Sequence, residues 1–268
     1  MTASDTASDR PVGGVWRAAL AVAEFQLGRL MTPQRLGLAL AGVAFPAAVM
    51  LAVRRIDVAP DRDFIVVLVY ALVPEAVCML GLLVTMCPAV ADELERGTWP
   101  HVTVRPHGRR GLLLGSYLAA VAWTAAIGLP AAVLALMVSG VDDIGPLACM
   151  FAGLVTLSCI GRAALFSLPA VIVPKRALVA SVATALVVEY LLGFLPAVVN
   201  QLTVGLRLRS LLVAWMRWGS KMPAEMQLIV DPLPPGSQVA AVLLLAVVLL
   251  TVAVLILERR EFPPSEEA

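Results

Sequence analysis

The amino-acid sequence predicts an all-α fold, a polytopic membrane protein with six transmembrane helices. Three observations carry that expectation. Of the 268 residues, 60% are hydrophobic and only 15% charged, whereas soluble chains carry about 25% charged residues. Apolar runs long enough for a spanning helix, which takes roughly 20 residues, recur along the chain. The densest charge, Ala91–Leu114, falls between two of those runs. A soluble bundle of unusually apolar helices is the competing architecture, and the run lengths disfavour it.

Taken in order, residues 1–14 open on the polar stretch MTASDTASDR and are expected to be disordered. They lack the basic start and immediate apolar stretch of a cleavable signal peptide, so the first span is expected to direct insertion. Over 15–31, Trp16, Leu20, Ala23, Leu27 and Leu30 recur at helical spacing on one stripe. Arg17, Glu24, Gln26 and Arg29 fall elsewhere, and Phe25 breaks the pattern. Such a basic helix, with a tryptophan on its apolar side, would lie flat in the headgroup layer. An ordinary cytoplasmic helix is the alternative.

The six spans fall at 36–53, 64–90, 112–138, 145–173, 177–199 and 239–257. The second, third and fourth exceed the minimum, so they tilt or run past the bilayer. Together they leave no room for a second domain. Segment 200–238 is too apolar for a solvated loop and too short for another hairpin through the membrane. Its stretch Leu206–Trp218 carries three arginines and is followed by Pro232, Pro234 and Pro235. It reads as short helices that dip into, or lie on, the outer leaflet.

Positive charge sets the orientation. With the N-terminus inside, the inner segments hold Arg10, Arg17, Arg29, Arg35, Arg96, Arg105, Arg109, Arg110, Lys175, Arg176, Arg259 and Arg260. The outer segments hold Arg54, Arg55, Arg62, Arg207, Arg209, Arg217 and Lys221. Arg54 and Arg55 count against this orientation, and the acidic loop 139–144 supports it. Both termini are therefore expected in the cytoplasm. The net charge of +1 gives no case for a nucleic-acid partner.

Chemistry has little to work with inside the spans. The two histidines, His101 and His107, both lie in the 91–111 loop, so no intramembrane Ser–His dyad can form. Neither HExxH nor a GxxxxGK[ST] phosphate loop is present. Cys78, Cys87, Cys149 and Cys159 all lie in apolar runs without CxxC or Cys/His spacing. They read as small core residues, with no metal or disulfide indicated. The chain is thus not expected to be an enzyme, nor to hold a cofactor itself.

Three ionisable residues fall within spans: Glu75, Arg162 and Glu189. A bare charge at mid-bilayer costs several kcal/mol. They either line a substrate path, as in a proton-coupled secondary transporter using Glu75 and Glu189, or form an intramembrane pair. Arg162, toward the inner end of its span, is expected to snorkel to the interface. Pro46, Pro74, Pro130, Pro169 and Pro196 read as kink sources.

In the 91–111 loop, Glu93 and Glu95 are expected near a helix start, with Arg96 and the later arginines beyond. On charge alone this is a solvated linker or the docking point of a membrane scaffold. Its order says more. Glu93, Glu95, Gly97 and Thr98, then Arg105–Pro106, then Arg109–Arg110 before Leu112–Leu114 and Gly115, resemble the ABC-2 type permease family. That family carries an acidic E-x-E-x-G-T stretch after its second span and a leucine-rich Gly motif opening the third. Trp99 stands where the family often has Leu, and Ser116 where it often has Lys.

The resemblance covers most of the chain and implies a specific arrangement. The chain would be the permease subunit of an ABC transporter, most often an exporter. Its location would be the inner (cytoplasmic) membrane of a bacterium. Residues 15–31 would be the elbow helix, 91–111 the coupling helix seated on a separate ATP-binding subunit, and 200–238 the outer re-entrant segment. Glu93, Glu95, Arg96, Gly97, Thr98, Arg105, Pro106 and Arg109 would form the ATPase-coupling surface. ATP and Mg would be bound by that partner, and a second permease subunit would complete the assembly as a homo- or heterodimer.

Overall fold

A computed structural model describes residues 13–56, 61–105, 107–191, 203–218 and 233–261. Among these, every regular element is helical. Helix α1 (Gly13–Leu30) is followed by α2 (Pro33–Arg55). The next long helix joins α3 (Arg62–Tyr70), a π-helical stretch Ala71–Val77, α4 (Cys78–Met86) and α5 (Pro88–Glu95). After α6 (Trp99–Val104) come α7 (Gly108–Ser139) and α8 (Ile144–Ile172). Then α9 (Ala177–Thr184) runs into a second π-helical stretch, Ala185–Leu191. Helices α10 (Val204–Trp215) and α11 (Pro235–Arg259) complete the described chain.

Proline sits in the first turn of α2, α5, α6 and α11. Its missing N–H has no helical partner to lose there, and its fixed φ suits a helix start. Pro46, Pro130 and Pro169 lie inside helices, while Pro74 lies within the first π-helical stretch. Pro196 falls outside the described residues.

Five helices are long and apolar enough to cross a membrane: Pro33–Arg55, Arg62–Glu95, Gly108–Ser139, Ile144–Ile172 and Pro235–Arg259. The remaining expected span, 177–199, is helical as far as Leu191, and 192–199 lie outside the described residues. Helix α7 is central and packs against α1, α2, α4 and α8. One apolar cluster, including Ile65, Val69, Leu136, Phe151 and Leu208, fills the end where α3 begins. A second, including Leu82, Met86, Trp99, Leu113, Phe166 and Leu257, fills the end where α5–α6 turn back, called here the hook end. Leu40 on α2 and Leu244 and Val247 on α11 are exposed, as outward side chains facing hydrocarbon would be.

On α1, Ala19, Ala23 and Leu30 are buried, while Trp16 and Leu20 are exposed. The reason is size. A side chain on Gly115 of α7 would lie 2.6 Å from the Ala19 carbonyl and from Val22 Cβ, so the small face of α1 is the one that fits. Helix α10, within the segment expected to dip into or lie on the outer leaflet, packs between α8 and α11. Val204–Leu208 and Ser210–Val213 are buried.

Candidate functional site

The hook is built from the end of one long helix and the start of another. Glu93 and Glu95 were expected near a helix start; they lie in the last turn of α5. The helix stops there by a local hydrogen-bond device. Gly97 adopts φ +67°, its N–H bonds to the Leu94 carbonyl at 3.2 Å, and the Thr98 N–H reaches back to the Glu93 carbonyl at 3.1 Å. This is a Schellman-type stop, and glycine takes its left-handed residue at least cost. The Thr98 hydroxyl also donates to the Glu93 carboxylate. Glu93, Gly97 and Thr98 thus share one structural task, ending α5 and setting the angle of α6.

Carboxylates at a helix C-terminus face the negative end of its dipole and need compensation. Arg29 supplies it from the end of α1, with Nη2 3.0 Å from Asp92 and Nη1 3.2 Å from Glu93. Glu93 is only 8% exposed, so it faces α1 and not the surroundings. Glu95, Arg96, Gly97 and Arg105 are exposed. Pro106 falls outside the described residues. Trp99 is buried against the hook-end cluster, with the Arg109 guanidinium 5.8 Å from its ring centroid. A cation over an aromatic face is a favourable contact.

Arg109 and Arg110 open α7, where the helix dipole disfavours cations. The end of α11 offsets this. Arg109 donates to the Glu258 carbonyl at 2.9 Å and to the Arg260 carbonyl at 3.3 Å, groups that a helix terminus leaves without helical partners. Arg110 pairs with the Glu258 carboxylate through two nitrogens. Arg109 therefore ties α7 to α11. The hook is braced on three sides, by α1, α7 and α11.

The structure also brings together the three intramembrane charges, from three separate helical segments. Arg162 of α8 is fully buried. Its Nη2 lies 2.5 Å from Glu75 and 3.4 Å from Glu189. Its Nη1 donates to the Ser158 hydroxyl at 2.8 Å and to the Pro74 carbonyl. The expectation that Arg162 snorkels is overturned. It lies ten residues before Ile172, about 15 Å of helix, and its side chain turns into the bundle toward these acceptors.

Each glutamate stands in a π-helical stretch, Glu75 in Ala71–Val77 and Glu189 in Ala185–Leu191. Such turns recur at functional sites. Their wider winding brings residues five apart onto one face, and the Tyr70 hydroxyl donates to Glu75 at 2.8 Å. Glu189 also accepts from the Val204 N–H at 3.2 Å, which ties it to the start of α10. Tyr70, Ser158 and the Pro74 carbonyl carry no signal in a sequence reading beyond the helical spacing of Ser158 and Arg162.

Among the described residues no three His, Cys, Asp or Glu side chains gather so as to hold a metal ion. No family model matches the chain, and no curated protein matches it. What stands is the class: an all-helical protein with five helices able to cross a membrane, the architecture of a multi-pass membrane protein.

Proposed function

We propose that the chain is the permease subunit of an ABC transporter, an exporter powered by a separate ATP-binding subunit that carries ATP and Mg. The observation that supports this reading most is the braced hook. Glu95, Arg96, Arg105 and the exposed side of α6 form a charged surface between the ends of two long helices. The Arg29 latch and the buried Trp99 join that surface to α1 and to the core. A partner that closes on ATP could push such a surface, and the long helices would follow as rigid bodies. In this reading α1 is the elbow, 91–111 the coupling segment, 177–199 the fifth span, and the hook end cytoplasmic. Assembly with a second permease subunit belongs to the same proposal.

Co-purification tests it. Affinity-tagged chain extracted from its own membranes should bring down an ATPase with a phosphate-binding loop. Reversing the two exposed hook charges, Glu95→Arg with Arg96→Glu, should release that ATPase while the chain still inserts. An ATPase that stays bound to the reversed hook would defeat the coupling reading.

A second reading rests on the Glu75–Arg162–Glu189 cluster, where two carboxylates meet one guanidinium. A proton could balance the surplus charge, as a proton-driven transporter requires. In sealed vesicles that reading predicts transport without ATP and its loss in Glu75→Gln; transport that needs ATP and survives Glu75→Gln excludes it.

A further inference from the structure

The hook end holds a cavity of about 250 Å³ lined by Thr103, Arg105, His107, Arg109, Arg110 and Glu258. We propose that it binds the phosphate of an anionic phospholipid headgroup. The inference rests on the membrane reading of the helices and needs no ATPase partner.

Charge is the first argument. Three arginines and one glutamate line this cavity. Arg110 and Glu258 are paired. The bonds from Arg109 end on carbonyl oxygens, which leave its charge uncancelled. Among the described residues, neither the exposed Arg105 guanidinium nor the His107 ring has a hydrogen-bond partner. The cavity is therefore left with a surplus of positive charge and with donors to spare. Guanidinium groups favour phosphate because their planar donors match its oxygens two at a time.

Depth is the second argument and separates a lipid from a soluble anion. The apolar run of α7 begins at Leu112, two residues after Arg110, and that of α11 ends at Leu257, next to Glu258. The cavity walls thus lie where hydrocarbon gives way to headgroups. Val104, beside Arg105, is 85% exposed, a placement suited to the apolar side of an interface. Basic pockets between spanning helices at this level are suited to anionic headgroups. Positive charges that serve only to orient a span need no cavity.

The test uses the full chain purified in neutral detergent, with bound lipid read by native mass spectrometry. Short-chain phosphatidylglycerol should be retained well above phosphatidylcholine of the same chain length. Arg105→Gln should lower phosphatidylglycerol retention by about fivefold, the effect of one surface arginine on anionic-lipid binding. Glu258→Gln should raise it, because it removes the carboxylate among the described lining residues and releases Arg110. Glu24→Gln, which removes an acid from α1 away from the cavity, should leave it unchanged. Equal retention of the two lipids, or retention indifferent to both Arg105→Gln and Glu258→Gln, would overturn the proposal. So would an increase in Glu24→Gln equal to that in Glu258→Gln, which marks bulk charge. Displacement of the lipid by an equal concentration of inorganic phosphate would assign the cavity to soluble phosphate and overturn the lipid assignment.

Discussion

Replacing Arg162 with methionine keeps most of the side-chain volume and removes the cation on which Glu75 and Glu189 converge. Arg162 is fully buried, so solvent cannot take over its role. Four acceptors each lose one donor: the Pro74 carbonyl, the Ser158 hydroxyl and two carboxylates. Breaking a buried ion pair by removing one partner costs about 3–5 kcal/mol. The carboxylates can limit the loss by taking up protons, which places the expected value near the lower bound. At about 2–4 °C per kcal/mol, the melting temperature should fall on the order of 10 °C. Thermal unfolding of the purified full chain in detergent measures it. The triple variant Arg162→Met, Glu75→Gln, Glu189→Gln removes every charge together, and should melt above the single variant. A single variant within about 2 °C of the native chain on that scale, or a triple variant below the single one, would refute the buried-triad reasoning.

Two further outcomes follow from the hook. Gly115→Val should drive α1 off α7, since the first added carbon already meets Ala19 and Val22 at 2.6 Å; proteolysis within 13–30 should then accelerate in membranes that leave the native chain intact. Arg29→Gln should destabilise by about 1 kcal/mol, the scale of a part-exposed ion pair. Its effect should vanish in a background of Asp92→Asn with Glu93→Gln, and a double-mutant cycle in thermal unfolding that returns no coupling would sink the latch.

Helix content and the long helices were legible because burial in lipid demands unbroken apolar runs, and 36–53, 112–138 and 239–257 each fall within one helix. The hook was legible as an interruption in charge, but not in direction. Glu93 looks like any surface acid until Arg29, 64 residues earlier, is placed beside it. The motif G-L-L-L-G at Gly111–Gly115 reads as an entry to a span; its use as a smooth face for α1 depends on which helix arrives there. The triad was legible only as three isolated costs. Its geometry depends on two π-helical stretches, and of these only Pro74 leaves a trace in the sequence. The cation cluster at Arg105–Arg110 was visible, whereas Glu258, which pairs with it, lies 148 residues from Arg110.

The central claim is that the hook is a docking surface for an ATP-binding subunit. A photo-reactive amino acid in place of His101, exposed on α6, tests it most directly in native membranes. The account predicts a single dominant cross-linked product containing an ATPase with a phosphate-binding loop, and its loss when Glu95→Arg and Arg96→Glu are added. Cross-links that reach only lipid, or proteins without such a loop, would contradict it.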